Sequence, residues 1–243
     1  MIIKKHPRLP ISQRHRLQSL LIAALSTAFP ILTTIAEKSV PTADRWEKAI
    51  QTFEAADKAS PPPKNAILLV GGSNARRWTN VADYFPSHNV INRGFGGAHL
   101  TDVVHYADRI VLPYAPKTIF LNAGGNDLSA GKSPEQVRDA CKAFAAKINA
   151  ALPQTRICYI GIPPVFKAAK VPGGMMLIRR TNGLIEELAR TNSQMRFIDL
   201  FPRFLDDKGQ PRAELFVSDG THFSPKGCEI VAALMREAAD LHD

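Results

Sequence analysis

The sequence predicts an α/β fold: a three-layer α/β/α sandwich around a parallel sheet of about five strands. Short apolar runs alternate with helical patterns along most of the chain, as in a sheet whose strands are joined by crossover helices. The runs are almost uninterrupted by polar residues, which is typical of parallel strands buried on both faces. With 243 residues, 45% of them apolar and 22% charged, the chain is globular and long enough to bury one sizeable core.

Five runs are predicted as strands, in chain order: Ala66–Val70, Asn89–Ile91, Thr118–Leu121, Arg156–Ile160 and Arg196–Leu200. Before them, a leading helix is predicted at about Thr42–Ala59, where Trp46, Ile50 and Phe53 recur at helical spacing and form a packing face. Pro61–Pro63 separates this helix from the rest of the chain.

Two later helices have clear start signals. Ser133 precedes Pro134 and stands three residues before Gln136, which predicts a helix capped at Ser133 and running to about Ala150. Ser224 and Pro225 predict a C-terminal helix through about Leu241 in the same way. Segment 163–176 contains one Pro-Pro pair, at 163–164, and one Gly-Gly pair, at 173–174. It is expected to be a long irregular connection that forms a wall or lid of a pocket. Met175 and Met176 in it are expected to pack in the core or to contact an acyl chain.

The N-terminus has the pattern of an export signal. A basic segment ends at Arg16, Leu17–Ala36 contains no charged residue, and Thr34–Ala36 is a small-x-small cleavage site. A cleaved signal peptide is the leading interpretation, and an uncleaved anchor or an ordinary helix remain open. Either of the first two places the domain outside the cytoplasm, in the periplasm or beyond, with membrane contact only through residues 17–36 if they are retained.

The resulting organisation is residues 1–36 as signal or anchor, 37–63 as leading helix and linker, and 64–243 as the main domain. The net charge of +9 comes partly from the N-terminus, and no dense Lys/Arg stretch with interleaved aromatic residues is present. We therefore expect no nucleic-acid partner. Three cysteines, Cys141, Cys158 and Cys228, are expected to be buried free thiols, and their spacing fits no metal site.

Four short motifs contain residues that could take part in catalysis or binding. They are Gly71–Asn74, Gly94–Gly97, Gly124–Asp127 and Asp219–His222. The first three follow predicted strands and should therefore meet at the carboxyl edge of the sheet, where ligands bind in such folds. Each motif alone also fits a simple turn, and Gly71–Asn74 alone also fits a phosphate-binding loop.

Together the motifs supply the groups needed for serine-based acyl transfer or hydrolysis. Ser73 is the candidate nucleophile, His222 the candidate base and Asp219 the acid that orients it. Gly97 and Asn126, with the amide of Ser73, are candidates for an oxyanion hole.

Other residues near these motifs are assigned weaker roles. His99 is a rival base close to Gly97, and Asp127 is expected to be structural. Four arginines are interpreted as solvated or as contacts for an anionic substrate: Arg76, Arg77, Arg179 and Arg180.

These motifs resemble those of the SGNH hydrolases, also called GDSL-type esterases and lipases. Ser73 matches the block I serine, Gly97 the block II glycine, Asn126 the block III asparagine, and Asp219 with His222 the block V pair. The segments 92–97 and 218–225 are similar to the platelet-activating-factor acetylhydrolase-like branch. The resemblance implies a flavodoxin-like sheet, hydrolysis of acyl esters of lipids, glycans or small molecules, and no metal or other cofactor.

The chain departs from the family pattern on both sides of Ser73, where Gly72 and Asn74 replace the usual Asp or Ser and Leu or Ser. Gly72 lacks a side chain that could brace the turn. An exported serine carboxylester hydrolase is the leading interpretation. Alternatives are a catalytically silent domain that binds carbohydrate or a protein, and a nucleotide- or phosphate-binding module.

Overall fold

The computed structural model describes Ile2 and residues 43–241, and five strands form one sheet within them. The expectations for residues 1–36 concern a segment outside the described residues, apart from Ile2. The strands are β1 Ile67–Gly71, β2 Val90–Gly94, β3 Thr118–Asn122, β4 Arg156–Ile160 and β5 Met195–Ile198. They are all parallel in the order β2-β1-β3-β4-β5, which confirms the predicted fold class.

Eight α-helices accompany these strands in the described part of the chain. They are α1 Glu47–Ala59, α2 Ser73–Arg77, α3 Leu100–Ile110, α4 Gly125–Ser129, α5 Pro134–Ala151, α6 Phe166–Ala169, α7 Gly174–Arg190 and α8 Pro225–Ala238. The predicted start signals are used: Ser133 accepts a hydrogen bond from the Gln136 amide, and Ser224 accepts one from the Gly227 amide. None of the described helices is long and apolar enough to cross a lipid bilayer.

The strands bury alternate residues on opposite faces, which produces the three layers. In β1, Leu68 and Val70 pack with α1, α3, α5 and α7, whereas Ile67 and Leu69 pack with α2 and α8. Every residue of β1 is buried, as expected for a strand in the interior of a parallel sheet.

The edge strand β2 is longer than its apolar run predicted, because its polar end finds partners. Asn92 donates hydrogen bonds to the carbonyls of Ala75 and Trp78, and Arg93 pairs with Asp57 of α1. The strand therefore continues to Gly94, past the predicted end at Ile91.

The leading helix packs on the body of the fold, as its apolar spacing indicated. Ile50 is fully buried, and Trp46 and Phe53 pack against the same core. At the surface of this contact, Arg109 of α3 binds both Glu47 and Glu54 of α1.

Segment 163–176 is more regular than predicted. It contains the short helix α6, and α7 begins at Gly174, where a Cβ would lie only 2.4 Å from the Ala168 carbonyl oxygen. Met175 packs in a small apolar cluster with Ile162, but Met176 is exposed, so core packing was the wrong expectation for Met176. The three cysteines are free and buried, as expected.

Candidate active site

Ser73 lies at the carboxyl edge of the sheet, where β1 turns sharply into α2. Gly71 has φ +145°, and a Cβ there would lie 2.0 Å from the Asn122 carbonyl oxygen, so only glycine allows β1 and β3 to approach this closely. The Gly72 amide donates to the same carbonyl at 2.8 Å. The turn thus places Ser73 at the first position of α2.

The structure brings three predicted residues into a continuous hydrogen-bonded series. His222 Nε2 lies 2.8 Å from Ser73 Oγ, and His222 Nδ1 lies 2.7 Å from Asp219 Oδ2. With the proton on Nδ1, the ring donates to the carboxylate and Nε2 can accept the proton of the serine hydroxyl.

The loop that carries His222 is folded around the carboxylate of Asp219. The amides of Thr221 and His222 each donate to Asp219 Oδ1 at 2.9 Å, and Gly220 takes φ +65° to close the turn. Burial raises the pKa of Asp219, but these amides, the imidazole of His222 and the guanidinium of Arg77 outweigh it and hold that pKa well below its usual range. The carboxylate is therefore ionised and can orient the imidazole.

Two side chains of α2 bind this loop through contacts that the sequence did not predict. Asn74 Oδ1 accepts a hydrogen bond from the Phe223 amide at 3.0 Å, and Arg77 donates to Asp219 Oδ2 at 2.9 Å. Asn74 and Arg77 stand three residues apart and so share one side of the helix. The spacing of the two residues in the sequence indicates that they share a side of the helix. It does not indicate which loop that side contacts.

Asn126 and Gly97 both lie close to Ser73. The Asn126 side chain donates one N–H to the Ala98 carbonyl at 3.0 Å, which leaves its second N–H without a protein acceptor in the described residues. Gly97 takes φ +80° in the loop that leads to Ala98. Asn126 lines one cavity beside Ser73, and Gly97 lines the other.

Gly72 leaves space for Asn126. A Cβ at Gly72 would lie 3.0 Å from Asn126 Nδ2, closer than an ordinary van der Waals contact. The turn is held without a side chain at this position, by the Gly72 amide and by the bond from the Arg76 amide to the Gly72 carbonyl at 3.0 Å. The glycine that departs from the family pattern is thus accommodated by the geometry of the turn.

Asp127 is a structural residue. Its side chain is fully buried, accepts the Leu100 amide at 3.1 Å and pairs with Lys132 at 2.8 Å. It thereby holds the start of α3, just after Gly97 and Ala98, against the segment that carries Asn126.

His99, the rival candidate for the base, is buried at the start of α3. The imidazole that contacts Ser73 Oγ is that of His222.

A cavity of about 340 Å³ opens on one side of Ser73. Its walls are mainly apolar and include Leu128, Ile160, Ile162, Val165, Ala168, Val171, Leu177 and Ile178. Segment 163–176 supplies much of this lining, in agreement with its prediction as a pocket wall.

A second, more open groove also borders Ser73. It is lined by His222, Trp46, Phe53, Arg76, Arg77 and residues 94–97. Of the four arginines singled out in the sequence, the other two are engaged elsewhere: Arg179 stacks on Phe201 and Arg180 pairs with Glu135.

Solved structures with the same fold come from several bacteria. A presumptive platelet activating factor of Streptococcus pneumoniae is 24% identical, with a TM-score of 0.71 over 81% of this chain and 93% of the other. A GDSL-like lipase of Bacteroides thetaiotaomicron is 18% identical, with a TM-score of 0.66 over 79% and 97%. An acetyl-xylooligosaccharide esterase of Geobacillus is 12% identical, with a TM-score of 0.59 over 74% and 96%. These likenesses establish the fold.

Among curated proteins, no sequence matches the chain. A model of the GDSL-like lipase/acylhydrolase family matches residues 69–230, which include Ser73, Gly97, Asn126, Asp219 and His222. The match covers most of the chain and agrees with the resemblance seen in its motifs. The chain therefore belongs to the GDSL-like lipase/acylhydrolase family.

Proposed function

We propose that the protein is a serine carboxylester hydrolase in which Ser73, His222 and Asp219 form the catalytic triad. The observation that carries the proposal is the hydrogen-bonded series from Ser73 Oγ through His222 to Asp219, with distances of 2.8 and 2.7 Å. A nucleophile in contact with a base, which is in turn oriented by a carboxylate, is the arrangement that activates a serine hydroxyl.

In the proposed first step, Ser73 Oγ attacks the ester carbonyl carbon while His222 Nε2 takes the hydroxyl proton. The carbonyl oxygen becomes an oxyanion, which the amides of Ser73 and Gly97 and the free N–H of Asn126 stabilise. The intermediate then collapses, the alcohol leaves with the proton held by His222, and the acyl group remains on Ser73.

Water completes the cycle by the same route. His222 takes a proton from water, the resulting hydroxide attacks the acyl carbon, and Ser73 Oγ leaves with that proton as the carboxylic acid is released. Throughout, Asp219 stays ionised and stabilises the imidazolium, in keeping with its lowered pKa.

The two cavities beside Ser73 have different functions in this proposal. The leaving alcohol must receive its proton from His222, so it occupies the groove that His222 lines. The acyl group then points into the apolar cavity, whose volume of about 340 Å³ is at the low end for small-molecule sites. We therefore expect short and medium acyl chains to be accepted, and sugar acetates are a natural class to assay because a structural relative is an acetyl-xylooligosaccharide esterase.

We also propose that the domain acts outside the cytoplasm, because the basic segment before Leu17–Ala36 is typical of exported proteins. N-terminal sequencing of the protein from its native host should find the mature chain starting near Glu37. A chain that retains residues 1–36 would instead indicate an N-terminal anchor.

The test of the proposed function is hydrolysis of para-nitrophenyl esters from acetate to octanoate, together with labelling by a fluorophosphonate. The wild-type protein should turn over several of these esters and carry the label on Ser73. Ser73→Ala should abolish turnover and labelling, and His222→Ala should slow labelling strongly while the fold is retained. A folded protein with neither turnover nor label would favour the alternative, a silent domain that binds a carbohydrate or a protein.

A further inference from the structure

The groove beside His222 contains two arginines, and only one of them has an acidic partner among the described residues. None of its lining residues is Asp or Glu, whereas Arg76 and Arg77 both lie in it. Arg77 is neutralised by Asp219 at 2.9 Å, but Arg76 has no ion pair among the described residues. Arg76 is an exposed residue that lines the groove.

Arg45 adds a second guanidinium at the same place. Its Cζ lies 4.5 Å from the centre of the Trp46 ring, and its Nη2 lies 3.8 Å from where a Cβ on Gly97 would stand. Arg45 also lacks an ion pair among residues 43–241. By contrast, Arg93 and Arg109, nearby in the same layer, are paired with acids of α1.

The loop glycines give these side chains their positions. A Cβ on Gly96 would lie 2.6 Å from Arg76 Nε, and a Cβ on Gly97 would lie 3.2 Å from the Trp46 ring. The Arg76 side chain therefore lies directly on the backbone of the loop that supplies the Gly97 amide.

We infer that this groove binds an anionic group on the alcohol part of the ester, with Arg76 as its main contact and Arg45 as a second. The inference rests on the proposed function, because it places the alcohol on the side of His222. A guanidinium presents paired N–H donors that match a phosphoryl or a carboxylate group. The substrate class is thus an acyl ester of an alcohol that also bears a phosphoryl or carboxylate group.

The test compares anionic and neutral aryl acetates of similar shape. Para-acetoxybenzoate is paired with its methyl ester, and para-acetoxyphenyl phosphate with para-methoxyphenyl acetate. For each pair, the ratio of kcat/KM for the anionic ester to that for the neutral ester is measured in the wild type, Arg76→Gln, Arg76→Lys and Arg190→Gln. Arg190 ends α7, outside both cavities, and its variant controls for the lost unit of charge.

We expect Arg76→Gln to lower the anionic-to-neutral ratio about tenfold or more, because it removes a charge-assisted hydrogen bond. Arg76→Lys should restore part of it, and Arg190→Gln should leave it as in the wild type. The pair with the larger effect identifies the preferred anion. An unchanged ratio in Arg76→Gln, or an equal drop in Arg190→Gln, would overturn the inference while neutral esters are still hydrolysed. If no ester in either pair is hydrolysed, the proposed function itself fails.

Discussion

Asn126 is the donor whose removal tests the oxyanion hole most directly. It is the one proposed donor that belongs to a side chain, so a substitution can delete it without changing the backbone. One of its two N–H groups donates to the Ala98 carbonyl, and the other has no acceptor within residues 43–241 and is available to the proposed oxyanion. Asn126→Ala therefore removes two contacts with different consequences.

In the proposed mechanism, the second N–H of Asn126 binds the oxyanion, so its loss should affect the rate. Loss of one oxyanion donor costs about 3–4 kcal/mol in the transition state, or roughly a hundred- to a thousand-fold in kcat. Because the ground-state carbonyl carries much less charge than the oxyanion, KM should change little. The bond to Ala98 governs stability, and its loss should lower the free energy of unfolding by about 1 kcal/mol.

Gly72→Ala is the matched variant. The added Cβ would stand 3.0 Å from Asn126 Nδ2, so the amide must move by a few tenths of an ångström but is kept. Its kcat should fall by much less than that of Asn126→Ala. Asn126→Asp should be at least as slow as Asn126→Ala, because a negative charge would then face the oxyanion.

The assay is steady-state hydrolysis of a para-nitrophenyl ester, with urea unfolding in parallel. If Asn126→Ala folds normally and keeps kcat within about threefold of the wild type, the residue does not bind the oxyanion. In that case Asn126 would serve only to hold Ala98.

Three further outcomes are expected. Asn74→Ala removes the acceptor of the Phe223 amide and should lower kcat about tenfold in steady-state assays, because the proposed base His222 is then held less accurately. Asn74→Asp keeps an acceptor and should recover most of the loss. An equal loss of kcat in both variants would count against this role. Asp219 has a lowered pKa, so its stabilising contribution as a carboxylate persists as the pH falls and is lost only when the pH passes through that lowered value. The difference in free energy of unfolding between the wild type and Asp219→Asn should therefore stay constant from neutral pH into mild acid in urea titrations. A difference that already vanishes in mild acid would contradict the assignment. Tyr159→Phe should lower the free energy of unfolding by about 1–3 kcal/mol in urea titrations, since its hydroxyl donates at 2.6 Å to a buried main-chain carbonyl; an unchanged midpoint would show that this bond contributes nothing net.

The sequence was sufficient to predict the parallel sheet and to predict which residues lie at its carboxyl edge. Parallel strands buried on both faces have apolar runs, and polar motifs that follow such runs must meet at the carboxyl edge. Ser73 and Asn126 could therefore be placed together before the structure was known. The edge strand β2 was predicted too short because Asn92 and Arg93 are polar, and polar residues after an apolar run usually indicate a loop. Their partners, the Ala75 carbonyl and Asp57, are far away in the sequence and could not be inferred from it.

The contacts that hold the site together could not be predicted in this way. Arg76 and Arg77 are adjacent, identical in type and line the same groove, yet Arg77 pairs with Asp219 whereas Arg76 has no ion pair among the described residues. Neighbouring residues on a helix point in directions about 100° apart, so their surroundings depend on which loop packs on each side. The helix Phe166–Ala169 was missed because four residues are too few for a periodic pattern.

The distance along the chain between Ser73 and His222 has a consequence for how activity appears during folding. The two residues meet across 149 positions, and all five strands lie between the start of β1 and His222. Pairing of parallel strands is non-local and slow compared with helix formation. Esterase activity should accordingly return in the last phase of refolding, after the helical circular dichroism signal. During synthesis, a nascent chain should stay inactive until the segment beyond β5 has left the ribosome.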